Sequence, residues 1–154
     1  TKTQDTAQRA LEFARSFLKT MGLELHPEKT RVTRFIDGFD FLGFTINSFG
    51  ARMSDKSIER FKKKIKDNTT RSHNLDADTI VSLNRIIKGT ANYFIKDFST
   101  GYKRFQALAE MIRRRIRCMK FTRISRNDNN RLRNKHIDKM GLVDIFKIYL
   151  NVKC

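Results

Sequence analysis

The fold of this chain is decided by the stretch FQALAEMIRRRIRCMKF, residues 105–121, which is both amphipathic and strongly basic. Its apolar residues recur at spacings of three and four, the period of one helix face. They are Phe105, Leu108, Ile112, Ile116 and Met119. We predict a helix near 102–121 with this stripe buried. Its other faces then carry Arg113, Arg114, Arg115, Arg117 and Lys120, which we expect to fan over the surface without ion-pair partners, since the helix has few acids.

Helical patterns also surround this stretch, from residue 54 to the end of the chain. Ser54 is a suitable N-cap for a helix whose buried face is Ile58, Phe61 and Ile65. Asp76 or Asp78 caps a second helix, which we expect to run to a break at residues 99–101. Its core residues are Ile80, Leu83, Ile87, Phe94 and Phe98. A short apolar helix follows Gly141.

The first 50 residues show a different pattern. A helix over 3–21 has one apolar face and ends at Gly22, and short β-like segments follow it. We expect strands in LEL (23–25), in TRVTRFI (30–36) and in the segment after Gly38, packed on the first helix. The predicted class is therefore α+β, an N-terminal helix with a small antiparallel sheet followed by an all-α helical bundle. We place a domain boundary after residue 52, so that the first part spans residues 1–52 and the helical bundle spans residues 53–154.

The segment GFDFLGFTI, residues 38–46, is unusually aromatic for a strand. Alternation places Phe39 and Phe41 on one face, and Leu42, Phe44 and Ile46 on the other. Both faces are apolar. We therefore expect either cover on two sides, with Phe41 in a core, or a change of face at a bulge at Gly43.

The charge of the chain indicates a polyanionic partner. The formal net charge is +17 over 154 residues, with a pI near 10.4. Residues 1–50 carry a net +1, residues 51–99 a net +5, and residues 100–154 a net +11. Nucleic acid is the leading candidate for the partner, and the C-terminal two thirds are its predicted binding surface.

Several other classes of protein find no support in the sequence. The two cysteines, Cys118 and Cys154, and the three histidines, His26, His73 and His136, have no metal-ligand spacing. There is no membrane-spanning run, no glycine-rich phosphate loop and no paired carboxylate motif. We expect no membrane partner and an intracellular compartment, cytoplasmic or, in a eukaryotic source, organellar. The chain is not expected to be an enzyme by itself.

Three segments resemble group II intron-encoded reverse transcriptases in order and spacing. GLELHPEKTRV (22–32) resembles their late palm motif, and GFDFLGF (38–44) resembles their primer grip. SLNRIIKGTANYF (82–94) resembles their maturase-specific domain, also called the thumb or X domain. The resemblance implies a C-terminal palm segment over 1–52 and a thumb domain over 53–154. It also implies binding of intron RNA and of an RNA template with its DNA primer.

The resemblance assigns roles to individual residues. Lys29 falls where such polymerases place a lysine near the incoming nucleotide, as a possible proton donor to pyrophosphate, although a surface ion pair with Glu28 explains it as well. The implied primer-grip residues are Phe39, Phe41, Leu42, Gly43 and Phe44, the phenylalanines being mostly structural and the backbone of Leu42 and Gly43 approaching nucleic acid. The residues predicted to bind nucleic acid come from the resemblance and from the basic runs together. They are Lys62, Lys63, Lys64, Lys66, Arg85, Lys88, Asn92, Arg113, Arg114, Arg115, Arg117, Lys120, Arg131 and Arg133.

Departures from the family pattern leave three hypotheses open. Thr90 stands where the family usually has Trp, and the Tyr-x-Asp-Asp motif and the zinc-binding endonuclease domain are absent. We expect an upstream fingers and palm polypeptide to supply the aspartates, with Mg²⁺ and dNTPs as cofactors of the complete polymerase and none in this chain. The chain is then part of a reverse transcriptase, a stand-alone RNA-binding maturase without polymerase activity, or a general basic nucleic-acid-binding protein.

Overall fold

The computed structural model describes residues 3–70, 75–123, 125 and 127–153, so His73 and Cys154 lie outside the described residues. The chain divides into two compact units, Thr1–Phe39 with Ile46–Phe49, and Asp40–Thr45 with Gly50–Cys154. The elements are α1 Gln4–Thr20, β1 Phe39–Phe41, β2 Phe44–Asn47, β3 Gly50–Met53, α2 Asp55–Asp67, α3 Ala77–Phe94, α4 Tyr102–Phe121, α5 Asp128–Arg131, α6 Asn134–Lys139 and α7 Ile145–Lys153. The α+β class is confirmed, while the functional division at 52/53 stays a prediction.

The larger unit is a helical bundle built around α4. Helix α4 packs against α7, α2 and α5, and α3 packs against α7 and α2. The stripe predicted for α4 is buried along its whole length, with no member more than 3% exposed. The predicted core residues of α2 and α3 meet all of this stripe except Met119 in one cluster; they are Ile58, Phe61, Ile65, Ile80, Leu83 and Ile87. This burial of apolar surface is what holds the bundle together.

The helices begin at the capping residues that the sequence indicates. Ser54 Oγ accepts a hydrogen bond from the backbone N–H of Ser57 at 3.3 Å, as predicted for the start of α2. Of the two candidates for α3, Asp76 is the cap, accepting from the N–H of Thr79 at 2.8 Å. Each cap satisfies one of the backbone donors that a helix leaves unpaired at its first turn.

The predicted extension of α3 to residue 98 is wrong. Helix α3 ends at Phe94, and the Phe98 side chain is 63% exposed. The buried hydroxyl of Ser99 explains the end, because it accepts from the N–H of Lys96 at 2.8 Å and donates to the carbonyl of the same residue at 2.7 Å. A serine hydroxyl that binds the backbone locally competes with the hydrogen bonds of a helix.

The smaller unit contains α1, which is helical as predicted. Thr3 caps it, and none of its residues is buried. The strands predicted at 23–25 and 30–36 are wrong, because residues 23–26 and 30–34 have no regular structure and residues 35–37 form a turn. A strand needs a neighbouring strand for its N–H and C=O groups, and strand pairing within the described residues occurs at 39–53 instead.

Strands β1, β2 and β3 form a sheet in that order, and a two-residue turn joins the first two. Leu42 and Gly43 in this turn have φ of 48° and 82°. Positive φ at both central residues is the geometry that suits a tight hairpin. Gly43 therefore lies in a hairpin turn and not, as was expected, in a bulge within a strand.

The expectation that Phe41 lies in a core is wrong. Its side chain is 57% exposed, and all three residues of β1 are exposed. Phe44 is the packed aromatic of this hairpin, with its ring centroid 5.0 Å from that of Phe94 and 5.7 Å from that of Tyr93. Tyr93 Oη also donates to the carbonyl of Leu42 at 2.8 Å, which ties the turn to α3. The hairpin is therefore held by one aromatic face and not by two.

Gly43 lies against the start of α2. Its carbonyl accepts from the Ser54 N–H at 2.8 Å and from Ser57 Oγ at 3.0 Å. A Cβ at this position would lie 2.9 Å from Ser57 Oγ and 3.3 Å from the Phe94 ring. Close packing within the protein therefore accounts for this glycine, and its predicted approach to nucleic acid stays a prediction.

We expect Gly43→Ala to lower the free energy of unfolding by about 1–3 kcal/mol, because it adds a crowded Cβ at a positive φ. Gly89→Ala is the matched control. Gly89 lies within α3 with nothing within 4 Å of an added Cβ, so alanine there should stabilise by up to about 1 kcal/mol. Urea unfolding followed by circular dichroism measures both. Equal effects at the two positions would contradict the packing described for Gly43.

Candidate nucleic-acid interface

The cations of α4 divide into two groups. Arg114 and Lys120 are exposed, as predicted, whereas Arg113, Arg115 and Arg117 are half-buried and bind other parts of the protein. The expectation that all five side chains spread over the surface is therefore wrong for these three, and the expected lack of ion-pair partners is wrong for Arg113. Their predicted roles in nucleic-acid binding stay predictions.

Arg113 forms an ion pair with Asp144, the residue before α7. The side chains are 19% and 6% exposed, so this pair is largely removed from water. Asp144 also accepts a hydrogen bond from the backbone N–H of Phe146 at 2.9 Å, in the first turn of α7. The expected lack of acidic partners fails for Arg113 because its acid comes from a distant part of the chain, which inspection of the helix alone does not show.

Arg115 joins α4 to the end of α2. Its guanidinium donates to the hydroxyl of Thr69 at 3.0 Å and to the carbonyl of the same residue at 2.5 Å. Thr69 is completely buried. The fork of an arginine matches two adjacent oxygens in this way, which the single ammonium of a lysine does not.

Arg117 makes no ion pair with an acid among the described residues. It donates to the carbonyl of Leu132 at 2.9 Å and to Oδ1 of Asn134 at 2.6 Å, both neutral acceptors. Burial and the neighbouring charge of Arg113 lower the pKa of Arg117 below its ordinary value. Arginine stays protonated at neutral pH nonetheless. This guanidinium therefore favours any anion that comes near it.

A cleft of about 1010 Å³, here called the α4–α6 cleft, lies between α4 and the segment that carries α5 and α6. Six cations line it, against the two acids Glu110 and Asp128. The cations are Arg113, Arg114, Arg117, Arg123, Arg133 and Lys135. The rest of the lining includes the amides of Asn129 and Asn134, the hydroxyl of Ser125 and the apolar residues Ala107 and Met111.

Asp128 anchors the wall of this cleft. It is 1% exposed and pairs with Arg123 at 3.0 Å and with Arg131 at 3.6 Å. The hydrogen bond and charge of Asp128 raise the pKa of Arg123. Arg131 also lies over the ring of Phe121, with its guanidinium carbon 4.6 Å from the ring centroid. These contacts fix the loop after α4 by charge and stacking.

A second cleft, here called the α2–α4 cleft, has a volume of about 440 Å³. Lys62, Lys63 and Lys66 of α2 line it, together with Arg114 and Arg115 of α4. Glu59 is its acid and pairs with Lys62 at 2.8 Å. Met111, Arg114 and Cys118 line both clefts, so Arg114 lies on the ridge between them. The two clefts form one basic surface on either side of α4.

The structure thus collects a subset of the predicted binding residues. Those lining a cleft are Lys62, Lys63, Lys66, Arg113, Arg114, Arg115, Arg117 and Arg133. Those lining neither are Lys64, Arg85, Lys88, Asn92, Lys120 and Arg131. The sequence indicates binding for the Arg- and Asn-rich run TRISRNDNNRLRNK (122–135) only as a whole, so Arg123, Asn129, Asn134 and Lys135, which lie in it, were not predicted individually. That composition was the signal available, and only the turn after α4 directs these side chains to one cleft.

A comparison with known protein families identifies the domain that carries this surface. The family described as group II intron, maturase-specific domain matches residues 58–140, more than half of the chain. The chain belongs to this family. Every residue that lines either cleft lies within the matched range. No curated protein matches the chain. None of the described helices is long and apolar enough to cross a membrane.

The contribution of the Arg113–Asp144 ion pair to the stability of the bundle can be tested by substitution. We expect Asp144→Asn to cost about 3 kcal/mol or more, because it leaves a largely buried guanidinium without its charge partner. Asp138→Asn is the control, since Asp138 pairs with Lys147 at 3.0 Å in an exposed setting and should cost at most about 1 kcal/mol. Chemical denaturation of both variants gives the comparison. Similar losses at the two sites would show that the Arg113 pair is unimportant.

Proposed function

We propose that this maturase-specific domain binds group II intron RNA through the basic surface on either side of α4. The observation that supports the proposal most directly is that all the lining residues of both clefts fall within the part of the chain that matches the family. The +11 charge of residues 100–154 supplies the attraction to phosphate. RNA contacts of this kind release counterions, so affinity should fall steeply with salt.

The uneven pairing of the cations supports a localised site. Arg113 and Arg123 are offset by Asp144 and Asp128, whereas the acceptors of Arg117 in the described part of the chain are neutral. Arg114 is exposed on the ridge between the clefts. Positive charge without an internal partner is therefore concentrated along α4, where a phosphate backbone would satisfy it.

We expect Lys63→Ala with Arg114→Ala to weaken binding of a transcribed group II intron RNA about tenfold, and to reduce the slope of log K against log salt by about 1.5. The control is Lys103→Ala with Lys139→Ala, which removes the same charge from exposed positions outside both clefts. Filter binding across a salt series, with heparin as competitor, measures both. Equal losses in the two double variants would instead favour a general basic protein that binds by net charge.

We further propose that the domain is the thumb of a group II intron reverse transcriptase, with the hairpin at 38–47 as its primer grip. The resemblance of 22–32 and 38–44 to palm motifs supports this, and these segments precede the matched range in the expected order. The metal ions and dNTPs would be held by a polymerase segment with Tyr-x-Asp-Asp. Lys29, exposed after the turn at His26, is the candidate proton donor to pyrophosphate.

In a polymerase that contains this chain, we expect Lys29→Ala to slow primer extension by about 10²-fold or more, the usual contribution of a general acid. Binding of the template–primer should stay unchanged. Lys19→Ala, in the last turn of α1, is the matched control. Single-turnover extension at saturating template–primer measures the rate. An unchanged rate would make Lys29 an ordinary surface lysine.

A further inference from the structure

We infer that the α4–α6 cleft accepts unpaired nucleotides from a loop or bulge of the RNA, whereas the α2–α4 cleft contacts only phosphates. This inference rests on the proposed RNA-binding function and divides the surface between two kinds of RNA element. It follows from three differences between the clefts, in volume, in lining chemistry and in the way their side chains are held.

The first difference is volume. The α4–α6 cleft, at about 1010 Å³, matches the upper end of pockets that enclose drug-sized ligands, roughly 300–1,000 Å³. A nucleotide is a ligand of this size. The paired bases of an RNA duplex stay stacked, and the duplex presents its backbone, its 2′-hydroxyls and the base edges of a shallow minor groove, so it has no unstacked base to place in such a cleft. The α2–α4 cleft, at about 440 Å³, lies within the same range but has less than half the volume of the larger cleft, so it has less room for a nucleotide.

The second difference is lining chemistry. The α4–α6 cleft presents guanidiniums, two asparagine amides and a serine hydroxyl beside the apolar Ala107 and Met111. Planar guanidinium and amide groups hydrogen-bond to base edges and ribose hydroxyls, and an apolar wall accepts the face of a base. The α2–α4 cleft presents three lysines, which act as point charges toward phosphate, and the guanidiniums of Arg114 and Arg115. Of the two clefts, only the larger one is lined by amides and a hydroxyl, which both donate and accept hydrogen bonds at a base edge.

The third difference is rigidity. Arg117 and Asn134 are joined at 2.6 Å, and Arg117 is also held by the carbonyl of Leu132. Arg123 is held by the buried Asp128. These contacts orient the donors before any ligand arrives, which lowers the entropic cost of binding. In the α2–α4 cleft Arg115 is also held, by Thr69, but Lys63 and Lys66 are exposed and make no ion pair among the described residues.

Sequence-specific RNA recognition is directed mostly at single-stranded loops and bulges, whose bases are free to contact protein. A cleft with oriented planar donors and an apolar wall fits such an element. A free nucleotide would satisfy the same chemistry. The surrounding cations on the ridge and on α2, however, continue the positive surface beyond the cleft, which suits a nucleotide attached to a longer chain.

The test compares a stem-loop RNA with a fully paired RNA of equal phosphate number, using the whole chain and fluorescence anisotropy. Asn129→Ala removes an exposed amide from the α4–α6 cleft without changing charge. We expect it to weaken stem-loop binding about tenfold, the effect of losing one good contact to a base, and duplex binding less than twofold. Asn130→Ala is the matched control, since Asn130 is the exposed neighbour that lines neither cleft.

Lys63→Ala, in the other cleft, should weaken both RNAs by the same factor. Excess free mononucleotide should not displace the stem-loop, and displacement would assign the cleft to a free nucleotide instead. Equal weakening of both RNAs by Asn129→Ala, or no effect of it, would overturn the inference while leaving the proposed function in place. If the unmodified chain bound neither RNA in the presence of heparin, both the inference and the proposed function would be overturned.

Discussion

The structure depends on the burial of one apolar stripe along α4. Its members, from Phe105 to Met119, are at most 3% exposed and are surrounded by α2, α3 and α7. Because a helix buries only part of its circumference, the remaining faces of α4 are free to carry charge. The same helix therefore centres the hydrophobic core and supplies the ridge of a basic surface.

Arginine performs two tasks on this helix. Arg113 and Arg115 reach residues on the C-terminal and N-terminal sides of α4, namely Asp144 and Thr69, and thereby fix the neighbouring elements. Arg114 instead is exposed and lines both clefts. Long side chains with several donors allow one helix to hold neighbouring elements on its half-buried faces and to contact a ligand on its exposed face. Consecutive arginines on this helix are consequently not equivalent. Replacing Arg113 or Arg115 should affect the stability of the fold, whereas replacing Arg114 should affect ligand binding.

Acidic residues shape the surface as much as the basic ones. Asp144 and Asp128 are almost completely buried, and each offsets the charge of a nearby arginine. Without them, repulsion among the crowded guanidiniums would oppose folding. With them, the arginines of α4 that make no ion pair among the described residues, Arg114, Arg115 and Arg117, are left to attract an anionic ligand.

The hairpin shows where sequence patterns mislead. Aromatic residues on both faces of GFDFLGFTI suggest burial on two sides, yet only Phe44 is packed on the aromatic residues of α3, and Phe41 is exposed. Alternation along a strand indicates which residues share a face but not whether anything covers that face. Gly43 likewise reads as a site of close approach, and the structure identifies its neighbours as Ser57 and Phe94.

Much of the bundle was determined by the sequence alone. The spacing of apolar residues and the capping residues Ser54 and Asp76 are local signals, so the starts of α2 and α3 and the buried stripe of α4 were predictable. Only the tertiary structure decided which cations have partners, because Asp144 lies 31 residues from Arg113 along the chain. The clefts were decided in the same way, since side chains from α2, α4 and the α5–α6 segment meet there through packing that no local pattern encodes.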